Sequence, residues 1–142
     1  MRFENNLRID RPVNEVFEFL AKFENIPRWN YAIVETRQVS DGPVGVGTTY
    51  RQVRSVPSRS EETFEVTEFE PPRRLSIRGG FGPLEGMMTY DLEPDEGGTR
   101  LKNSAQLEGR GLVKLAAPLA SGRIAEAVAE NLTALKQLLE SS

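Results

Sequence analysis

Hydrophobic positions change rhythm twice along this chain. Near the N-terminus Val13, Val16, Phe17 and Leu20 recur at i, i+3, i+4 and i+7, which is one face of a helix running from Pro12 to about Lys22. Pro12 suits the first turn, where a missing N–H has no helical partner, and Asp10 is the expected capping acceptor. Phe23, Ile26 and Trp29, three apart, predict a second short helical turn that Pro27 keeps brief. From about residue 31 to 107 the period becomes two. Asp41-Gly42-Pro43, Pro57-Ser58, Glu70-Pro71-Pro72, Gly79-Gly80 with Gly82-Pro83, and Glu96-Gly97-Gly98 cut this stretch into six strands. Residues 3–9 make a seventh strand, and the short loops favour an antiparallel meander.

The alternation assigns faces. Leu101, Asn103, Ala105 and Leu107 point inward against Arg100, Lys102, Ser104 and Gln106. Phe64 and Val66, Leu75 and Ile77, and Met88, Tyr90 and Leu92 take the inner face of their own strands. The strands at 31–40 and 45–56 alternate poorly. Residues 112–139 return to helical spacing, with Ile124, Ala125, Val128, Leu132, Leu135 and Leu139 on one stripe. Leu112, Leu115 and Leu119 project roughly opposite to that stripe. The change of phase coincides with Pro118 and Gly122, so a kink or a break is expected there.

Composition removes many chemistries. The 142 residues contain no Cys and no His, which eliminates disulfides, thiolate nucleophiles, the commonest general base and the commonest zinc ligand. No loop shows calcium-ligand spacing, so neither metal nor cofactor is expected. With 18 Lys and Arg against 21 Asp and Glu, the net charge of -3 argues against a nucleic-acid partner. No stretch is apolar enough for a membrane span or a secretory leader, which points to a cytoplasmic protein. Asn131-Leu132-Thr133 is a glycosylation sequon inside a helical segment and is discounted. Gly45-Val46-Gly47 lacks a third glycine and a following helix, so it is no dinucleotide fingerprint. Glu61-Glu62, Glu65, Glu68 and Glu70 read as a solvated edge.

A strongly curved antiparallel sheet gripping one amphipathic helix leaves a gap where concave side chains fall short of the helix. Ala105, Ala125 and Ala129 are too small to fill it, and Tyr50, Tyr90 and Asn103 bring polar tips to an apolar wall. That mixture suits an amphipathic guest. The same residues equally describe close helix–sheet packing, with the polar tips satisfying one another or a trapped water.

The opening strand followed by Pro12-Val13-Asn14-Glu15-Val16-Phe17, Asn25-Ile26-Pro27-Arg28-Trp29-Asn30 and Gly42-Pro43-Val44-Gly45-Val46-Gly47-Thr48 resembles the START-like (SRPBCC) superfamily, in its polyketide cyclase/dehydratase-like branch. Glu70-Pro71-Pro72-Arg73-Arg74-Leu75, Tyr90-Asp91-Leu92-Glu93-Pro94 and the C-terminal helix continue the resemblance along the whole chain. It implies one α+β domain over residues 1–142 with the helix-grip fold: a curved seven-stranded antiparallel sheet around a long C-terminal helix, with two short helices after the first strand. It also implies an apolar pocket gated by residues 79–83 and 112–119. Pocket candidates are Trp29, Tyr50, Phe64, Val66, Leu75, Ile77, Phe81, Met88, Tyr90, Leu101, Asn103, Ala105, Leu115, Leu119, Ala125, Val128 and Ala129.

Fold resemblance selects no reaction. Three functions stay open: binding of a small hydrophobic or amphipathic molecule, cyclisation or dehydration of a bound polyketide, and a protein-interaction module with a filled interior. For the enzyme reading, Tyr50, Tyr90, Asn103 and Arg54 are the groups that can polarise a carbonyl or move a proton. A monomer or a homodimer is expected.

Overall fold

The computed structural model describes residues 1–109 and 113–141, with side chains for 1–109 and 122–141. Strand β1 (Arg2–Ile9) leads into α1 (Val13–Ala21), a 3-10 turn (Phe23–Asn25) and α2 (Ile26–Trp29). Strands β2 (Ile33–Gln38), β3 (Thr49–Arg54), β4 (Ser60–Glu70), β5 (Arg74–Phe81), β6 (Leu84–Asp95) and β7 (Gly98–Gly109) follow, and α3 (Val113–Glu140) closes the chain. The sheet is antiparallel throughout, in the order β1-β7-β6-β5-β4-β3-β2. Consecutive strands from β2 to β7 are neighbours, as the short turns require. Only β1 leaves the meander, to pair with β7.

The alternation of β4 to β7 is seen directly: Phe64, Val66, Leu75, Ile77, Met88, Tyr90, Leu92, Leu101, Ala105 and Leu107 are all buried. Strands β2 and β3 alternate poorly for two reasons. A bulge between Ile33 and Glu35 shifts the register of β2, and the inward positions Thr36 and Gln52 are polar. Long strands curl over the core where they can bend. Gly79 and Gly86 are register partners on β5 and β6. A Cβ at Gly86 would fall inside the envelope of the Gln106 carbonyl oxygen, and its φ of +150° suits no other residue well.

Helix α3 seals one side of the concave face. Leu132, Leu135 and Leu139 are buried, and the helix packs on β1, β7 and α2. Lys136 Nζ donates to the Arg8 carbonyl, and Glu140 accepts from Lys136 and from the Asp10 N–H, which ties the helix end to the exit of β1. Asp10 therefore does not cap α1; Pro12 sits at the cap with no side-chain hydrogen bond, and the Asp10 carboxylate lies 3.6 Å from Arg8. Nor does α3 break at Pro118 or Gly122. It runs unbroken from Val113 to Glu140, with both residues inside it. Among the described residues no helix is long and apolar enough to cross a membrane.

If the close approach at Gly86 sets the bend, Gly86→Ala will destabilise the fold by about 2 kcal/mol. The denaturant midpoint of the purified variant measures this.

Candidate functional site

The concave face has two sealed flanks and a looser centre. On the β3–β4 flank, Phe23 from the 3-10 turn caps two stacked rings. Tyr50 and Phe64 lie 5.1 Å apart at 13°, and the Phe23 ring is 4.7 Å from Tyr50 and 5.3 Å from Phe64. The opposite flank is the Leu132–Leu135–Leu139 contact on β1 and β7. Between them, Ile77, Met88, Tyr90 and Trp29 point inward yet keep 5–9% exposure, whereas Val66, Leu75 and Leu101 keep none. On the helix side, Ala125, Val128 and Ala129 are only half-buried. Phe81, at the tip of the β5–β6 hairpin, is likewise half-buried.

Polar atoms are set into this wall. Asn103 on β7 stands between Asn5 on β1 and Tyr90 on β6 in the sheet register. Asn103 is fully buried, and its Nδ2 reaches only the Met88 sulfur at 3.6 Å. Among the described residues, Asn103 Oδ1, Asn5 Nδ2 and Tyr50 Oη are buried without a hydrogen-bond partner. The Tyr50 hydroxyl and the Asn103 amide oxygen therefore do not satisfy one another. Burial pushes the Tyr90 phenol up to about 12; burial, and then the negative charge of Glu24, push Tyr50 up to about 12. Both are neutral donors and acceptors at physiological pH.

At the rim the sequence reading needs correction. Glu62 is not part of a solvated edge: it shares the inward parity of Phe64 and Val66, and its side chain is buried. Arg54 Nε donates to Glu62 Oε1 at 2.7 Å and Arg54 Nη2 to Oε2 at 3.1 Å, a two-pronged pair. Gln52 Nε2 donates to Oε2 at 2.6 Å, the Gln52 amide oxygen accepts from Thr36 Oγ1 at 3.2 Å, and the Gly82 N–H donates to Oε1 at 2.9 Å. One carboxylate thus holds β3, β4 and the tip of the β5–β6 hairpin together. Burial works to raise the Glu62 pKa. The hydrogen bonds from Arg54, Gln52 and Gly82, with the Arg54 charge, outweigh it and hold the carboxyl below its usual range. Arg54, a candidate for chemistry, is already neutralised here. Parity alone could have found Glu62; Asn5, Thr36 and Gln52 were also missed, as short polar residues in strands that carried no charge signal.

Other candidates fall outside this grouping. Leu115 and Leu119, with the gate residues at 112–119, lie outside the described side chains. Two depressions open on the outer face of the sheet. One of about 760 Å³ is lined by Arg2, Arg51, Thr63, Arg78, Met87 and Gln106, and one of about 560 Å³ by residues that include Asn6, Asp91 and Lys102. Among the described residues, no group of three or more acidic side chains is placed to hold a metal ion.

With this architecture in view, a family model described as polyketide cyclase / dehydrase and lipid transport matches residues 1–140. The chain belongs to that family. The START-like resemblance and the helix-grip fold both stand. Among solved structures of this fold is TTHA0849 from Thermus thermophilus, with a TM-score of 0.81, 19% identity and full coverage of both chains. Another is Ara h 8.0201, with a TM-score of 0.75 and 18% identity, covering 100% of this chain and 99% of that one. The di-domain ARO/CYC BexL from the BE-7585A biosynthetic pathway has a TM-score of 0.79 and 20% identity, covering 99% of this chain and 46% of that one. At these identities the likeness is one of fold. No curated protein matches the chain in sequence.

The rim network makes a pH prediction. Because the folded Glu62 pKa is depressed, its stabilisation is fully present above the unfolded carboxylate pKa and is lost as pH falls through the folded value. Glu62→Gln leaves Arg54 without its counter-charge and is expected to cost about 3 kcal/mol at neutral pH. The gap between wild type and variant should narrow on acidification, as read by denaturant unfolding at a series of pH values.

Proposed function

We propose that this protein binds a small, uncharged, amphipathic molecule between the centre of the curved sheet and α3. The observation that carries the reading is the set of partnerless polar atoms on an apolar wall: Tyr50 Oη, Asn103 Oδ1 and Asn5 Nδ2. An unsatisfied buried polar group costs about 1–3 kcal/mol. A hydroxyl or carbonyl on a guest offsets that cost where a purely apolar core cannot. The residues that keep some exposure, Ile77, Met88, Tyr90 and Trp29 opposite Ala125, Val128 and Ala129, mark where such a guest enters. Phe64, Val66, Leu75, Leu101 and Ala105 form the apolar floor. Burying about 300 Å² of apolar guest surface contributes roughly 7 kcal/mol before immobilisation costs, enough for micromolar affinity.

A second reading is cyclisation or dehydration of a bound polyketide. It is favoured by two neutral phenols able to donate to a developing enolate or carbonyl oxygen, and by the fold likeness to an ARO/CYC protein. Tyr90 is the group that chemistry would use, since it borders the looser centre.

Two measurements separate these readings. Ala129→Phe should abolish uptake of a solvatochromic apolar dye while the far-UV circular dichroism stays native; unchanged uptake would remove this location for the guest. Incubation of the protein with polyketone chains should give the same products as buffer if it only binds. A product distribution that shifts with wild type and reverts with Tyr90→Phe would establish turnover.

A further inference from the structure

Two strands end the sheet, and they are finished differently. Strand β1 is flanked by α3, whose Lys136 caps the Arg8 carbonyl. Strand β2 packs on the 3-10 turn and α2, but its sheet pairing among the described strands is with β3 alone. The Val39 N–H donates to the Thr49 carbonyl at 2.9 Å, and Arg37 and Glu35 follow at two-residue steps in register with Arg51 and Val53. These three therefore turn their main chain toward β3, and Val34, Thr36 and Gln38 turn theirs to the open edge. The charges are unsatisfied as well. Glu35 and Arg37 are exposed, and neither side chain makes a hydrogen bond or ion pair among the described residues. Arg37 instead stands across from Arg51, a like charge. Apolar side chains surround this segment: Tyr31 is 66% exposed, Val34 55% and Val39 50%.

We propose that the outer edge of β2 is the seam of a homodimer, in which residues 34–38 of two copies pair antiparallel about a two-fold axis at Thr36. The sequence complements itself in this register and in no other that keeps the hydrogen-bond parity. Thr36 faces Thr36 of the second copy and Val34 faces Gln38 as hydrogen-bonded pairs. Glu35 faces Arg37 twice, as non-hydrogen-bonded pairs whose side chains approach most closely. Centring the axis two residues earlier sets Glu35 against Ile33, and two residues later sets Arg37 against Val39. Each Glu35 also supplies the acid that the Arg37–Arg51 pair lacks within its own chain. Val39 of each copy comes to lie against the Ile33–Val34 end of the other, covering exposed apolar surface. Charges that merely protect an edge work through one sign; opposite charges two residues apart attract a second copy.

Sedimentation equilibrium on the full chain tests this. Wild type is expected to show a concentration-dependent monomer–dimer equilibrium that weakens as salt is raised. Glu35→Arg or Arg37→Glu alone creates two like-charge contacts and should weaken association roughly tenfold or more. The double variant Glu35→Arg/Arg37→Glu should restore it. Both side chains are exposed, so the far-UV spectrum should not change in any variant. A chain that stays monomeric at every concentration would overturn the proposal, as would a dimer indifferent to the single reversals or not rescued by the double one.

Discussion

A single helix is narrower than the sheet it must cover, and this mismatch governs the interior. Seven strands at about 4.8 Å spacing span roughly 29 Å, whereas a helix with its side chains is about 10 Å across. Curling the sheet narrows the deficit without removing it. The chain covers the two flanks by different means, an aliphatic stripe of α3 on β1 and β7 and the Phe23–Tyr50–Phe64 cluster on β3 and β4. On the middle strands β5 and β6, the inward Ile77, Met88 and Tyr90 keep more exposure than Val66, Leu75 and Leu101. That looser cover follows from the widths of the parts, before any residue is chosen for chemistry.

Chemistry on this wall is restricted to uncharged groups. Without His or Cys, and with the inward Arg54 and Glu62 neutralising each other, what remains are phenols, amides and main chain. The largely buried ion pair serves the architecture: it fixes the hairpin tip through the Gly82 N–H and lines up β3 with β4. The described part of this wall therefore offers shape and neutral hydrogen-bonding groups, with no free charge. The family's description covers both polyketide cyclase / dehydrase activity and lipid transport.

How much of this could be read in advance follows from which forces act locally. Strands β4 to β7 were plain because each is buried on one face, so period two is imposed residue by residue. The polar inward positions of β2 and β3 hid the same pattern, since Thr36, Gln52 and Arg54 are satisfied by one another and by Glu62 across strands, a tertiary fact. Glu62 was misjudged because its charge was weighed above its parity. Asp10 has the right chemistry for a cap, but its carboxylate lies beside Arg8 instead. The pocket candidates on β4 to β7 do share one wall. That their polar members lack partners could not be inferred from spacing, because it depends on distances between strands far apart in sequence.

The place of β1 has a consequence for biosynthesis. Its sole sheet neighbour is β7, with Ile9 beside Thr99 and Arg2 beside Gln106. A ribosome delivers β1 first and its mate last, so the nascent segment waits, unpaired, through production of the entire meander. Closing this edge of the sheet therefore waits until β7 has been made, and the pairing of β1 with β7 is its most non-local step.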